Sequence, residues 1–168
     1  MLAEFLVLFA LPLLLAAAAG WDIASFTIPN FLTLALLGAF AVFAVAAGLS
    51  FTVIGWHILA GFLGLLIGFT LFAIGHVGGG DAKLFAAVVL WLGLQDLMPY
   101  ALIASVLGGV LALGLMLVRN WPLPAFLARQ SWIMKLHDSK AGIPYGVALA
   151  AAAFILLPST EVFRLAVV

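Results

Sequence analysis

The chain has 168 residues, of which 68% are hydrophobic and 7% charged, with six basic and six acidic residues and no net charge. Soluble domains are about half apolar and about one-quarter charged, so water is not the main solvent of a chain whose mean hydropathy is +1.40. The scattered basic residues offer no stripe to neutralise phosphates, which argues against a nucleic-acid partner. The absence of cysteine removes disulfides, thiolate zinc sites, iron–sulfur clusters and cysteine nucleophiles together.

Charges are missing from residues 5–21, 23–80, 84–95, 97–118 and 141–160. A helix crossing about 30 Å of hydrocarbon needs roughly 20 apolar residues. The pattern predicts an all-α, polytopic six-helix transmembrane bundle forming one domain over residues 1–168. Six such helices use roughly 120 residues, leaving no room for an extramembrane domain of ordinary size. The first span covers residues 2–20. Its start carries Glu4 and no Lys or Arg, the wrong sign for a signal peptide, so it is read as a membrane helix. The long run after Asp22 must fold back on itself. Thr27, Pro29 and Asn30 open a second span over 30–47, the Gly48 to Ser50 stretch turns the chain, and a third span covers 54–74.

The run 84–95 makes only about 18 Å of helix, too little to cross. Charged neighbours must therefore join it, and a fourth span over 81–98 places Asp81 and Lys83 at one interface and Asp96 at the other. Lys83 can snorkel outwards on its long stem, whereas Asp is too short. Asp81 is thus the carboxylate expected at membrane depth. The fifth span covers 99–118, with Pro99 tolerated in its first turn. The basic loop 119–142 carries Trp121 and Trp132 as headgroup anchors, and the sixth span covers 143–157. Gly61, Gly64 and Gly68, and Gly109 with Gly114, are read as close helix-packing positions.

Arg119, Arg129, Lys135 and Lys140 all fall between spans five and six, Lys83 lies between three and four, and Arg164 alone lies on the other side. The positive-inside bias places the loops after spans one, three and five in the cytoplasm and both termini outside it. Asp22 and Asp81 then share the cytoplasmic face. Two carboxylates at a few ångströms cannot both ionise cheaply, so such a pair can hold one proton between them and act as general base and general acid on a water. The structural alternative makes Asp22 an interfacial helix-end residue and Asp81 a helix cap. A proton-coupled transporter would use the same carboxylates, but no charge continues a path through the other spans. Gly78, Gly79 and Gly80 allow an extended peptide to approach the main chain before Asp81. His57, His76 and His137 are too dispersed to be metal ligands, and no metal or other cofactor is expected.

Residues 78–81 read Gly-Gly-Gly-Asp, a match to the G-x-G-D signature of intramembrane aspartic proteases. Asp22 followed by Ile28-Pro29-Asn30 resembles the corresponding element of type IV prepilin peptidases, and Ile143-Pro144-Tyr145-Gly146 resembles the family's last span. The chain is most similar to the small enzymes of the tight-adherence, Flp-type pilus system. The resemblance implies a multi-pass aspartic endopeptidase of the bacterial cytoplasmic (inner) membrane. It would remove the basic leader from prepilins whose apolar helix lies in the same bilayer. Asp22 and Asp81 match the family's catalytic aspartates, with Gly78, Gly79, Gly80, Pro29, Asn30 and Lys83 as neighbours that bind substrate or shape the site. Larger relatives carry a cysteine-containing zinc segment associated with N-methylation, and without it peptidase activity alone is expected. Residues 23–27 contain none of the basic residues that many relatives have there.

Overall fold

The computed structural model describes residues 1–167, and all regular structure among them is helical. Helix α1 runs over Leu2–Ser25. It passes through a π-helical turn at Leu6–Ala10, next to Pro12, which has no N–H for the Leu8 carbonyl. Helix α2 is Asn30–Ala46, α3 is Phe51–Ala73, α4 is Gly79–Leu92 and α5 is Leu97–Arg119. A short helix α6, Ser131–His137, lies in the basic loop, followed by α7, Tyr145–Leu156, and α8, Glu161–Val167. The expected turns hold. Ser50 caps α3 by accepting the Val53 N–H, and Gly48 turns the chain at φ 65°.

Among the described residues three helices are long and apolar enough to cross a membrane: Leu2–Ser25, Phe51–Ala73 and Leu97–Arg119. A fourth arises if Tyr145–Ser159 and Glu161–Val167, bent by 57° at Thr160, count as one span. Helix α2 is apolar but shorter, at 17 residues.

The fourth predicted element differs most from the 81–98 expected. It begins two residues earlier and stops at Leu92, because Gly93, at φ 88° and ψ 175°, takes an extended positive-φ conformation that glycine alone adopts readily and that ends the helix. Asp96 is consequently not on α4 but at the start of α5. With 14 residues α4 is about 21 Å long, and it survives being short because other helices rather than lipid surround it. Ala82 and every residue from Leu84 to Leu92 are buried, so α4 is the centre of the bundle, packed by α2, α3, α5 and α7.

Polar atoms in that centre are paired, as a low-dielectric interior demands. The Trp91 indole N–H donates to the Leu36 carbonyl at 2.9 Å, with its ring between Phe40 and Phe43. Nδ1 of buried His57 meets the Leu90 carbonyl at 2.7 Å, and the Tyr100 hydroxyl donates to the Leu149 carbonyl at 3.2 Å. These side chains tie α2, α3, α5 and α7 to α4 or to each other without leaving an exposed donor in hydrocarbon.

Small residues bring α3 onto α4, as expected for Gly61, Gly64 and Gly68. A Cβ on Gly68 would stand 2.9 Å from the Ala82 Cα and 3.0 Å from its carbonyl oxygen. Backbone cannot swing aside like a side chain, so Gly68→Val should lower stability by about 1–3 kcal/mol, read as an earlier thermal transition in detergent. The same expectation fails on α5. Gly109 and Gly114 face open space, and the close contact is instead at Gly108, where a Cβ would reach 2.6 Å from the Tyr145 ring. Glycine spacing marks a possible face of a helix, and only the neighbour's position decides which one is used.

Candidate active site

Asp22 lies one turn before the end of α1, and its carbonyl accepts the N–H of Phe26 at 2.7 Å. Phe26 adopts φ 59°, ψ 31°, a left-handed conformation that costs a non-glycine residue about 1–2 kcal/mol. The turn is secured from outside. Lys135 on α6 donates through Nζ to the Ser25 carbonyl at 2.7 Å and lies 5.1 Å over the Phe26 ring. The chain then runs back through Thr27, Ile28 and Pro29 into α2, which carries Ile28 across the start of α4.

Asp81 occupies the first turn of α4. The Gly78 N–H donates to its Oδ2 at 3.1 Å, the reciprocal half of a capping arrangement. Helix α4 already includes Gly79 and Gly80, so of the three glycines only Gly78, at φ −73° and ψ 151°, is extended. Gly80 matters for its size: a Cβ there would sit 3.1 Å from the Ile28 backbone nitrogen.

Asp22 and Asp81 line one cavity of about 280 Å³, together with Phe26, Thr27, Ile28, the three glycines and Lys83. Asp22 is 4% exposed, whereas Asp81 is half-buried. The Gly146 N–H, at the start of α7, donates to Asp22 Oδ2 at 2.7 Å. That glycine is wedged in place, since a Cβ would come within 2.9 Å of the same oxygen and of Ile28 Cδ1. The site is thus assembled from the end of α1, the 26–29 turn, the start of α4 and the start of α7. Such an arrangement supplies two acid–base groups, room for water and a peptide, and backbone donors near both carboxyls.

Of the other residues singled out in the sequence, Asn30 and Lys83 are brought together, with Lys83 Nζ donating to Asn30 Oδ1 at 2.7 Å. Pro29 precedes α2 in an extended conformation. His76 stays exposed in the α3–α4 turn, and His57 is buried towards the opposite end beside Gly93. Asp96, also at that end, shares a cavity with Glu161 and Arg164. Burial holds its carboxyl above the usual carboxylate range, an effect that Arg164 opposes and Glu161 reinforces. Gly146 and Lys135 were missed as site residues. The first had a signal, its place in the Ile143-Pro144-Tyr145-Gly146 stretch, while nothing in the sequence pairs Lys135 with a turn 110 positions away.

A sequence model described as the type IV leader peptidase family matches residues 9–113, a stretch that holds both Asp22 and Asp81. The chain belongs to the type IV leader peptidase family. A prepilin leader peptidase/N-methyltransferase of Aeromonas hydrophila is 30% identical over 143 residues, covering 81% of this chain and 43% of that protein. Its counterpart from Aeromonas salmonicida (strain A449) is 32% identical with the same coverage. This family member therefore spans less than half the length of those curated relatives. No solved structure matches it.

Proposed function

We propose that the chain is a membrane-embedded aspartic endopeptidase that cleaves the leader from Flp-type prepilins at the cytoplasmic face of the bacterial inner membrane. The observation that carries this reading is the single cavity lined by Asp22, Asp81 and the glycines that precede Asp81. Family membership and the names of the relatives support the substrate class. In this reading six helices, α1 to α5 and α7, form the bundle, with both termini outside the cytoplasm. The short α4 crosses inside it, enclosed by other helices, whereas α2 turns Phe31, Val42 and Val45 outwards to lipid.

One proton is shared between the two carboxyls. The ionised one takes a proton from a water as that oxygen attacks the scissile carbonyl carbon, and the protonated one gives its proton to the carbonyl oxygen. The resulting gem-diol collapses as the C–N bond breaks, a hydroxyl proton returns to one carboxyl, and the leaving amine takes a proton from the other. The Gly146 N–H holds Asp22 Oδ2 in place throughout, so the geometry of attack does not depend on a mobile side chain.

The test uses the full chain in phospholipid vesicles with a type IV prepilin, and mass spectrometry of the product. Leader loss with an unmethylated new N-terminus is the result expected of these 168 residues, which contain no cysteine. An intact prepilin, or a proton flux through the vesicles without cleavage, would overturn the reading. Asp96→Asn should keep cleavage within about twofold of wild type, because Asp96 lies beyond the far end of α4, at least about 16 Å along the axis from Asp81.

A further inference from the structure

Helices α2 and α3 both pack against α4 and meet each other at Phe40 and His57, whose ring centroids are 5.2 Å apart, while a cleft opens between them further along. The cleft between them has a volume of about 650 Å³. On α2 it is lined by Asn30, Thr33, Leu34 and Leu37, one face at the i, i+3, i+4, i+7 spacing of a helix. The lining positions of α3 between 58 and 65, and of α4 between 83 and 90, repeat that spacing. Seven residues of rise make the cleft about 10.5 Å long, two helical turns. Its floor is shallow-sided at Ala86 and Ala87, and its walls stand out from the bundle, with Leu34 64% and Phe62 62% exposed.

The chemistry of the lining selects the occupant. Beyond its polar end the cleft offers a single polar side chain, Thr33, whose hydroxyl already donates to the Asn30 carbonyl. An extended peptide would bury unpaired N–H and C=O groups there, whereas an apolar α-helix satisfies its own. The polar end is the bonded pair Asn30 and Lys83, and Lys83 also lines the cavity of the two carboxyls. The cleft therefore runs into the acid site. On its other side Asp81 borders a space of only about 120 Å³, enough for roughly four waters and too small for a helix.

We propose that this cleft receives the apolar helix of the prepilin, the segment that follows the bond to be cut. The proposal rests on the peptidase reading and deepens it. The substrate helix lies along α2, α3 and α4 for two turns and ends at Asn30 and Lys83. There its first-turn N–H groups, which have no partner within a helix, meet the free lone pair of Asn30 Oδ1. Beyond that level the substrate backbone is extended, Lys83 can donate to its carbonyls, and the scissile bond lies between Asp22 and Asp81. Lys83 and Asn30 are positioning residues in this scheme: they mark where helix must give way to a cleavable strand.

The test places a benzophenone amino acid at Leu37 in the cleft or at Leu113 on the exposed face of α5, in vesicles with a type IV prepilin. A light-dependent adduct to prepilin at Leu37, displaced by excess unlabelled prepilin and missing at Leu113, is expected. Leu37→Trp should also raise KM about tenfold with kcat within about twofold, while Leu113→Trp changes neither. Adducts to lipid alone at Leu37, equal labelling at both positions, or an unchanged KM in Leu37→Trp would overturn the cleft assignment even if the prepilin is cleaved. Failure of the wild-type chain to cleave, with the Leu37 adduct present, removes the peptidase reading and leaves the cleft as a binding site for the same helix.

Discussion

Asp22→Asn and Asp81→Asn should each leave the chain folded and lower leader cleavage by about 10³-fold or more. Asn matches Asp in shape, and its amide oxygen can still accept the Gly146 N–H at position 22 or the Gly78 N–H at position 81. Packing and backbone pairing are therefore kept, and what disappears is the ability to exchange a proton. The two losses should not multiply. A pair that shares one proton works as a unit, so Asp22→Asn/Asp81→Asn is expected to be no slower than the worse single variant. Thermal transitions in detergent close to wild type, alongside lost cleavage, complete the expected result. Substantial cleavage in either single variant would end the dyad mechanism, because no other carboxylate among the described residues lines the cavity.

Gly146→Ala should be the most damaging substitution at a position without chemistry of its own. The added methyl would need to occupy a point 2.9 Å from Asp22 Oδ2, 2.9 Å from Ile28 Cδ1 and 3.1 Å from Asp22 Cβ. It must displace either the carboxyl or the turn that crosses α4. Misplacing a reacting group by about 1 Å can cost about 10²-fold, and a loss of that order in kcat is expected with KM nearly unchanged. A structural role alone would move the thermal transition and leave the rate per folded molecule intact. Measuring kcat on the folded fraction separates the two, and an unchanged kcat would mean that the Gly146 contact merely packs α7 against α1.

Helix existence was legible because hydrocarbon permits no unpaired backbone. Charge-free runs cut at Pro29, Gly48 and Pro99 leave little freedom, and α1 to α5 and α7 start and stop within a few residues of the expected positions, apart from the ends of α1 and α4. Helix α4 was misjudged because its length was measured against a bilayer, whereas its surroundings are other helices. The glycines show the same limit. Those of α3 were read correctly and those of α5 were not, since sequence spacing names a face but not the neighbour that meets it.

The sequence alone determined the solvent, the helical class, the family resemblance and the two carboxylates worth attention, because each depends on composition or on short motifs. Tertiary structure decided that Asp22 and Asp81 line one cavity although 58 residues separate them, that Gly146 and Lys135 reach that end from the last third of the chain, and that α2 and α3 leave a cleft over α4. These are contacts across the bundle. They depend on how side-chain volumes fill the space between helices, a quantity no linear pattern contains.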